Sequence, residues 1–359
     1  MAAFDMDIML DCGAPSLYNR LSKKEKSSVV MGATFKDRKF DDFSYTEQPE
    51  YKRYRNAYIE FLLLNGKSIE HYTNLDVINN PSLTWRNQQV LERAGLHPIP
   101  VYHIGSKMPE KHLRRYVERY DYIALGGLIP NKTDVIKEHL DYLFNEYILD
   151  KDGFPKVKVH GFACTSPWLM WRYPWFSVDS TTARKLAMYG HVYLPTINDN
   201  LSVKTVTISS RHVSQLNKPI GLISNRKLKT VPKSEQPTLL DGTKKRVIAQ
   251  AEKIGCTWEN LCGNYMERML YNHIYFSHLV HTEVPLWPWS FKTRKSKKGA
   301  DELFNLYIAG CFSKSEEAWF WQELSQRPGT EKALKKRLHS FFYANQVKYL
   351  IKLKEGEKE

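Results

Sequence analysis

The chain has 359 residues, of which 42% are hydrophobic, so it is long enough for one large core or for a barrel with an appended smaller domain. No apolar run approaches the roughly 20 residues of a membrane-spanning helix, and no secretory signal opens the chain, so we expect a cytoplasmic protein with no membrane partner. The net charge of +14 favours a polyanionic partner, nucleic acid first, although a solvated basic surface explains it equally well.

The first predicted element is a short buried strand at 7–11, Asp-Ile-Met-Leu-Asp. It runs into Cys12-Gly13-Ala14, a turn of small residues where a ligand can approach the backbone. Asp11 therefore lies at the carboxyl end of a strand. The mostly polar stretch 22–48 predicts a long loop, able to close over a site or to contact nucleic acid.

Helices and strands then alternate along the chain. The spacing of apolar residues predicts helices at 51–65, 81–94 and 135–147, and strands at 74–78, 98–104 and 120–125. The first of these strands contains Asp76, the second contains His103, and the third ends at Gly126-Gly127. Each predicted strand thus contains, or ends at, a polar or small residue.

Two short apolar runs lie between residues 157 and 182. The first ends at His160-Gly161 and the second at Asp179-Ser180, and a short helix is predicted to begin after Ser166. For a lone Asp179, the ordinary interpretation is a cap of the helix predicted at 181–189. A carboxylate where a buried strand emerges is also desolvated and aimed, as catalysis requires, and the same pattern upstream favours that role.

The alternation of strands and helices predicts an α/β fold built from parallel βα units, specifically a (β/α)8 TIM-type barrel. A doubly wound open sheet is the alternative, but no Gly-x-Gly-x-x-Gly follows the first strand. In a barrel the carboxyl ends of the strands face one mouth. The residues expected to meet there are Asp11, Asp76, His103, Gly126, Gly127, His160, Gly161 and Asp179.

The second half of the chain changes character after Gly190. Runs of β-branched residues at 191–194, 203–208 and 220–223 predict a β-rich basic insertion over 191–240. Its basic loop contains Arg226, Lys227 and Lys229. Helices are predicted at 243–254 and 258–280, so that residues 1–285 form the barrel with its insertion.

Residues 286–359 are predicted to form a basic, aromatic, helical C-terminal region, with helices at 301–326 and 330–353. The stretch 287–298 mixes aromatic rings with cations, which suits stacking on bases while the cations follow phosphates. The contacts expected there come from Trp287, Trp289, Arg294 and Lys295. An apolar anchor followed by a solvated linker explains the stretch equally well.

The cysteines indicate neither a disulfide framework nor a zinc site, because no Cys-x-x-Cys pair occurs. We therefore predict no metal. The five cysteines are Cys12, Cys164, Cys256, Cys262 and Cys311.

Taken in order, five stretches resemble the tRNA-guanine transglycosylase superfamily, and more closely its phage branch, the DpdA-type DNA 7-deazaguanine transglycosylases. The likeness covers roughly the first half of the chain. Cys12 and Pro15 stand where the family has Ser and Phe, His103 stands where it has Gln, and the zinc-binding cysteines of the tRNA enzymes are absent. The stretches are Leu10-Asp11-Cys12-Gly13-Ala14, Leu75-Asp76-Val77-Ile78, Pro100-Val101-Tyr102-His103, Tyr122-Ile123-Ala124-Leu125-Gly126-Gly127-Leu128, and Val159-His160-Gly161-Phe162 with Ser177-Val178-Asp179-Ser180.

The resemblance implies exchange of guanine in DNA for a 7-deazaguanine base, by double displacement through a covalent aspartyl-sugar intermediate. Asp179 would attack the sugar C1′ and Asp11 would move the protons. Asp76 would accept from the purine N1–H and 2-amino group, since an ionised carboxylate offers two acceptors side by side. The other implied base-binding residues are His103, Gly126, Gly127, His160 and Gly161.

The implied partners are DNA, with its target base flipped or single-stranded, and a free 7-deazaguanine as co-substrate, with no cofactor. A phage-encoded chain would act in the host cytoplasm. The sequence does not decide between a monomer and a homodimer. Two alternatives remain: the same exchange on tRNA, and a barrel that binds nucleic acid without chemistry, whose aspartates are helix caps.

Overall fold

The computed structural model describes part of the chain. The described residues are 7–15, 17, 21, 44–78, 80–105, 110–128, 131–164, 166–197, 203–208, 236–281, 305–310, 319–320, 322–323, 326–327 and 339–342.

The described helices agree with most of the predicted ones. They are α1 (Pro49–Asn65), α2 (Pro81–Arg93), α3 (Glu110–Arg119), α4 (Thr133–Leu143), α5 (Pro167–Arg172), α6 (Thr182–Met188), α7 (Gln236–Lys253), α8 (Trp258–Gly263) and α9 (Tyr265–His281). Local chemistry fixes several ends. The Asn80 side chain accepts from the Leu83 N–H at the start of α2, where Pro81 holds the first position.

The described strands form one parallel sheet and one hairpin. They are β1 (Asp7–Leu10), β2 (His71–Tyr72), β3 (Val101–His103), β4 (Tyr122–Gly126), β5 (Lys158–Gly161), β6 (Ser177–Ser180), β7 (His191–Ile197), β8 (Val203–Thr207), β9 (Asn305–Gly310) and β10 (His339–Phe342). The eight-stranded sheet has the order β2-β1-β10-β9-β6-β5-β4-β3. The antiparallel pair β7 and β8 lies between β6 and β9 in sequence, within the predicted β-rich insertion.

The two ends of this strand order are joined by backbone hydrogen bonds. Thr73, next to β2, forms a parallel bridge with Ile99, just before β3. The Ile99 N–H donates to the Tyr72 carbonyl at 2.8 Å, and the Asn74 N–H donates to the Ile99 carbonyl at 3.0 Å. The hydrogen-bond ladder therefore continues from the last strand in the order to the first.

Side chains on the two faces of the sheet enter different clusters, because successive residues of a strand point in opposite directions. Met9, Val101 and Ala124 belong to a small cluster on one face. On the other face, two large clusters include helical residues: Ile8 and Leu10 join one, and Ile123, Leu125, Val159 and Val178 join the second. Burial on both faces is typical of parallel sheets and explains their near-continuous apolar runs.

The helices predicted at 301–326 and 330–353 are wrong where the structure describes β9 and β10. β9 pairs with β6 and with β10, and β10 pairs with β1, all in parallel. A short apolar run fits a strand as well as one side of a helix, and pairing with distant strands decides between them. The predicted boundary at 285/286 thus separates strands of one sheet.

Two smaller corrections concern the predicted strand at 74–78 and the single helix at 258–280. The strand lies earlier, at β2, and the Asp76 N–H donates to the Asn74 carbonyl in a turn, so that Asp76 follows the strand. The helix is divided at Asn264, whose side chain accepts from the Met266 N–H and starts α9. The basic loop at 226–229 and the stretch 287–298 lie outside the described residues.

Candidate active site

One face and one end of the parallel sheet collect the polar residues predicted to be functional. His103, His160 and Asp179 each follow a residue that points into the helix-covered clusters, so their side chains point to the opposite face, which is also the face of position 126. Asp11 follows Leu10 in the same alternation. All lie within one residue of the carboxyl ends of their strands, which is where parallel α/β folds bind ligands.

Asp76 is held on both of its carboxylate oxygens. The Cys12 thiol donates to Oδ1 at 2.7 Å, and His103 Nε2 lies 2.6 Å from Oδ2. The Asp76 side chain is 9% exposed and that of His103 is 11% exposed. The carboxylate is therefore largely buried and fixed in direction by residues of two other segments.

Glycine at position 126 makes the contact of His103 with Asp76 sterically possible. A Cβ at Gly126 would lie 3.1 Å from His103 Cδ2 and 3.6 Å from the Phe162 ring. Gly127, the next residue, has a φ of 81°, a conformation that favours glycine. The two glycines predicted to bind the base thus allow a close approach at 126 and a left-handed turn at 127.

Asp11 has a carboxyl group that resists ionisation. Its pKa is raised to about 8, chiefly by burial, and then by the negative charges of Asp76 and Asp179. A backbone hydrogen bond from Gly13 opposes this rise only partly. At neutral pH the carboxyl of Asp11 therefore carries a proton, and the charges of both other carboxyl groups act on it.

Asp179 is buried and receives a backbone hydrogen bond. The Ala163 N–H donates to its Oδ1 at 2.8 Å, and His160 Nε2 lies 3.4 Å from the same oxygen. Ala163 adopts a φ of 55°, which is uncommon for a residue with a side chain and turns its N–H toward the carboxylate. A strained turn after β5 thus holds the Asp179 carboxylate in place through a backbone hydrogen bond.

Two predicted base-binding residues lie in other surroundings. His160 is 0% exposed, and its Nδ1 is 2.6 Å from the Ser177 hydroxyl oxygen. A Cβ at Gly161 would lie 3.0 Å from Cys164 Cβ and 3.1 Å from the Trp175 ring, on the helix-covered face. The absence of a side chain at Gly161 therefore allows tight packing there, and a side chain at this position would lie on the face opposite to Asp179.

Sequence reasoning missed four residues around the carboxylates. The Tyr54 hydroxyl donates to the Cys12 carbonyl at 2.5 Å, and the Tyr122 hydroxyl is 2.5 Å from Ser177 Oγ. Tyr122 and Ser177 precede Ala124 and Asp179 by two positions, so the alternation along a strand places them on the same face. That signal was present in the sequence, whereas nothing local indicates Tyr54 or the turn at Ala163.

One group of potential metal ligands occurs at this site. Ligand atoms of Asp11, Cys12 and Asp76 all lie within 4.8 Å of one another. Burial and the nearby carboxylates raise the pKa of the Cys12 thiol well above its ordinary value, and the thiol already donates to Asp76. Proximity of three ligand atoms does not by itself identify a metal site, so this group carries no metal assignment.

No family model, curated protein or solved structure matches the chain. Among the described residues, no helix combines the length and apolar character needed to cross a membrane.

Proposed function

We propose that the chain is a DNA guanine transglycosylase, which exchanges guanine in DNA for a 7-deazaguanine base. The observation that carries the proposal is the meeting of Asp11, Asp76 and Asp179, with the pKa of Asp11 raised to about 8. A carboxyl group that keeps its proton, as Asp11 does, can act as the acid while a second carboxyl group acts as the nucleophile. The resemblance in motif order supports the same reaction.

We also propose that the eight parallel strands close into the predicted (β/α)8 barrel. Apart from the inserted hairpin, neighbours in the sheet follow the order of the chain, and the bridge between Thr73 and Ile99 joins the two ends of that order. A closed barrel gathers the carboxyl ends of its strands at one mouth. Such a mouth would hold a flipped nucleotide among the three carboxyl groups.

In the proposed reaction, the ionised Asp179 attacks C1′ of the target nucleotide. A bond forms between a carboxylate oxygen and C1′ as the bond from C1′ to the purine nitrogen breaks, and the departing guanine takes the proton of Asp11. The incoming 7-deazaguanine then returns a proton to Asp11, and its ring nitrogen displaces Asp179 from C1′. The charges balance without a cofactor.

Asp76 would bind the purine edge, as the resemblance implies. Each of its oxygens already has one partner, Cys12 or His103, but a carboxylate oxygen has a second acceptor position. The N1–H and 2-amino groups of the purine could use those positions. Cys12 and His103 would then orient Asp76 for this contact.

DNA is proposed as the polymer because of the closer resemblance to the DNA enzymes, and the net charge of +14 suits a polyphosphate partner. A stacked base is out of reach, so the target must be flipped or single-stranded. The residues 226–229 and 287–298 remain the expected phosphate and stacking contacts.

The test is transfer of radiolabelled guanine or 7-deazaguanine bases into guanine-containing DNA, single- or double-stranded. Labelled guanine is included because a reversible double displacement also exchanges guanine for itself. We expect label in DNA with the natural chain and none with Asp179→Asn. Asp152→Asn, in a turn away from the site, serves as the matched control and should label normally.

The polymer is tested in parallel with tRNA. Label in tRNA alone would replace the DNA assignment by the tRNA one. If neither polymer is labelled with any of these bases, or if Asp179→Asn labels as well as the natural chain, the transglycosylase proposal is wrong.

A further inference from the structure

Three polar side chains from neighbouring strands form a continuous chain that ends at Asp179. The Tyr122 hydroxyl of β4 is 2.5 Å from Ser177 Oγ of β6, which is 2.6 Å from His160 Nδ1 of β5. On the other side of the imidazole, His160 Nε2 is 3.4 Å from Asp179 Oδ1. Ser177 and His160 are both 0% exposed, so water does not interrupt the chain at either residue.

The charge of Asp179 determines the direction of the hydrogen bonds in this chain. A lone pair on His160 Nε2 would face a carboxylate oxygen and be repelled, whereas an N–H there is attracted. With a single ring hydrogen, on Nε2, the imidazole accepts at Nδ1 from the Ser177 hydroxyl. Ser177 Oγ then accepts from Tyr122, whose phenol keeps its proton because burial raises its pKa.

Both contacts of Asp179 are made by the same oxygen. The Ala163 N–H and His160 Nε2 approach Oδ1, and no described residue contributes a hydrogen bond to Oδ2. A carboxylate fixed through one oxygen presents the other to a ligand in a defined direction. At 3.4 Å the His160 contact is longer than a usual hydrogen bond, as is common for catalytic groups before substrate binds.

We propose that Tyr122, Ser177 and His160 are positioning residues that hold Oδ1 of Asp179 and leave Oδ2 as the oxygen that bonds to C1′. This role rests on the proposed transglycosylase function. It replaces the predicted contact of His160 with the base. The three residues transfer no proton: the Oδ2–C1′ bond forms, the bond from C1′ to guanine breaks, and guanine takes its proton from Asp11.

The hydrogen positions are tested without substrate by ¹⁵N NMR of the histidine-labelled chain, with the His160 signals assigned from their loss in His160→Gln. We expect a neutral ring with its hydrogen on Nε2 and with Nδ1 as an acceptor. Ser177→Ala should shift the Nδ1 signal of His160. A hydrogen on Nδ1, or a doubly protonated ring at neutral pH, would overturn the proposal.

The positioning role is tested by the rate of label transfer into DNA. His160→Phe should lower kcat about tenfold or more, while the KM for the labelled base changes little, because the base does not contact His160. His160→Gln, whose amide can still donate toward Asp179, should recover part of the lost rate. Equal loss in both variants, or a rise in KM alone, contradicts the proposal.

A milder pair of variants guards against misfolding. Tyr122→Phe removes only the hydroxyl at the far end of the chain, and we expect a smaller fall in kcat. Tyr271→Phe is its control, since it also removes a buried hydroxyl with one hydrogen bond, to the Tyr193 carbonyl. An equal effect of the two variants would argue against positioning.

Absence of transfer by the natural chain would refute the proposed function, while the NMR result would still decide the hydrogen positions.

Discussion

Asp11 shows how a single residue acquires its chemistry from neighbours that are distant in sequence. Its side chain is an ordinary carboxyl, but burial and the charges of Asp76 and Asp179 raise its pKa to about 8. The sequence predicted its place at the end of β1, because the apolar run stops there. Its protonation depends on residues that only the fold brings near.

The raised pKa of Asp11 predicts how stability varies with pH. Between about pH 4 and pH 8, folded Asp11 keeps a proton that the unfolded chain releases, so stability falls as pH rises. Each unit of raised pKa corresponds to about 1.4 kcal/mol. Asp11→Asn should therefore stabilise the chain at pH 8 by about 1 kcal/mol or more, and much less at pH 4.

This expectation is checked by urea unfolding of both chains across that pH range. Asp121→Asn, which changes an exposed carboxylate, is the control and should follow the natural chain. Parallel stability curves for Asp11→Asn and the natural chain would contradict the assignment of a protonated Asp11.

At the scale of elements, the turn after β5 connects a tightly packed part of the core to the candidate site. Gly161 packs against Cys164 and Trp175 on the helix-covered face, and Ala163 turns its N–H toward Asp179. The sequence predicted the end of this strand correctly. The sequence did not show which face of the sheet Gly161 occupies, because that depends on the register of the strand. The structure answers this: Val159 lies in the helix-side core, and Gly161, two residues later, faces the same side.

Gly161→Ala should destabilise the chain by about 1–3 kcal/mol, because its Cβ would lie 3.0 Å from Cys164 Cβ and 3.1 Å from the buried Trp175 ring. Gly242→Ala in α7 is the matched control, since no described atom outside its own helix lies within 4 Å of the added Cβ. There we expect stabilisation of up to about 1 kcal/mol from helix propensity. Urea unfolding followed by tryptophan fluorescence measures both, and a neutral Gly161→Ala would show that the packing there is loose.

At the scale of the whole molecule, the central question is whether the parallel sheet closes. Closure joins β2 to β3 and removes both free edges. The amides of Asn74 and Ile99 make the joining hydrogen bonds, to the carbonyls of Ile99 and Tyr72. Their exchange with solvent therefore reports on closure.

Hydrogen exchange should be as slow at Asn74 and Ile99 as at Ala124, whose N–H donates to the Pro100 carbonyl within the sheet at 2.9 Å. The Gly153 N–H, bonded to the Asp150 carbonyl in a turn, serves as the fast control. Exchange at Asn74 and Ile99 as fast as at Gly153 would mean that the sheet opens between β2 and β3.

The sequence by itself determined most helices, the first six strands of the parallel sheet to within a few residues, and a polar or small residue at or near the end of each strand. These features depend on local patterns of apolar side chains, which a sequence displays directly. The prediction failed at β9 and β10, where short apolar runs become strands only by pairing with β6 and β1.

Only the tertiary structure decided how the candidate site is assembled. Cys12 contacts Asp76 across 64 positions, and His103 contacts it across 27. The tertiary structure also placed His160 beside Asp179 with no exposed surface, whereas the sequence predicted that His160 contacts the base. Such contacts depend on strand order, register and the direction of each side chain, and the periodicity of one segment contains no information about its distant partner.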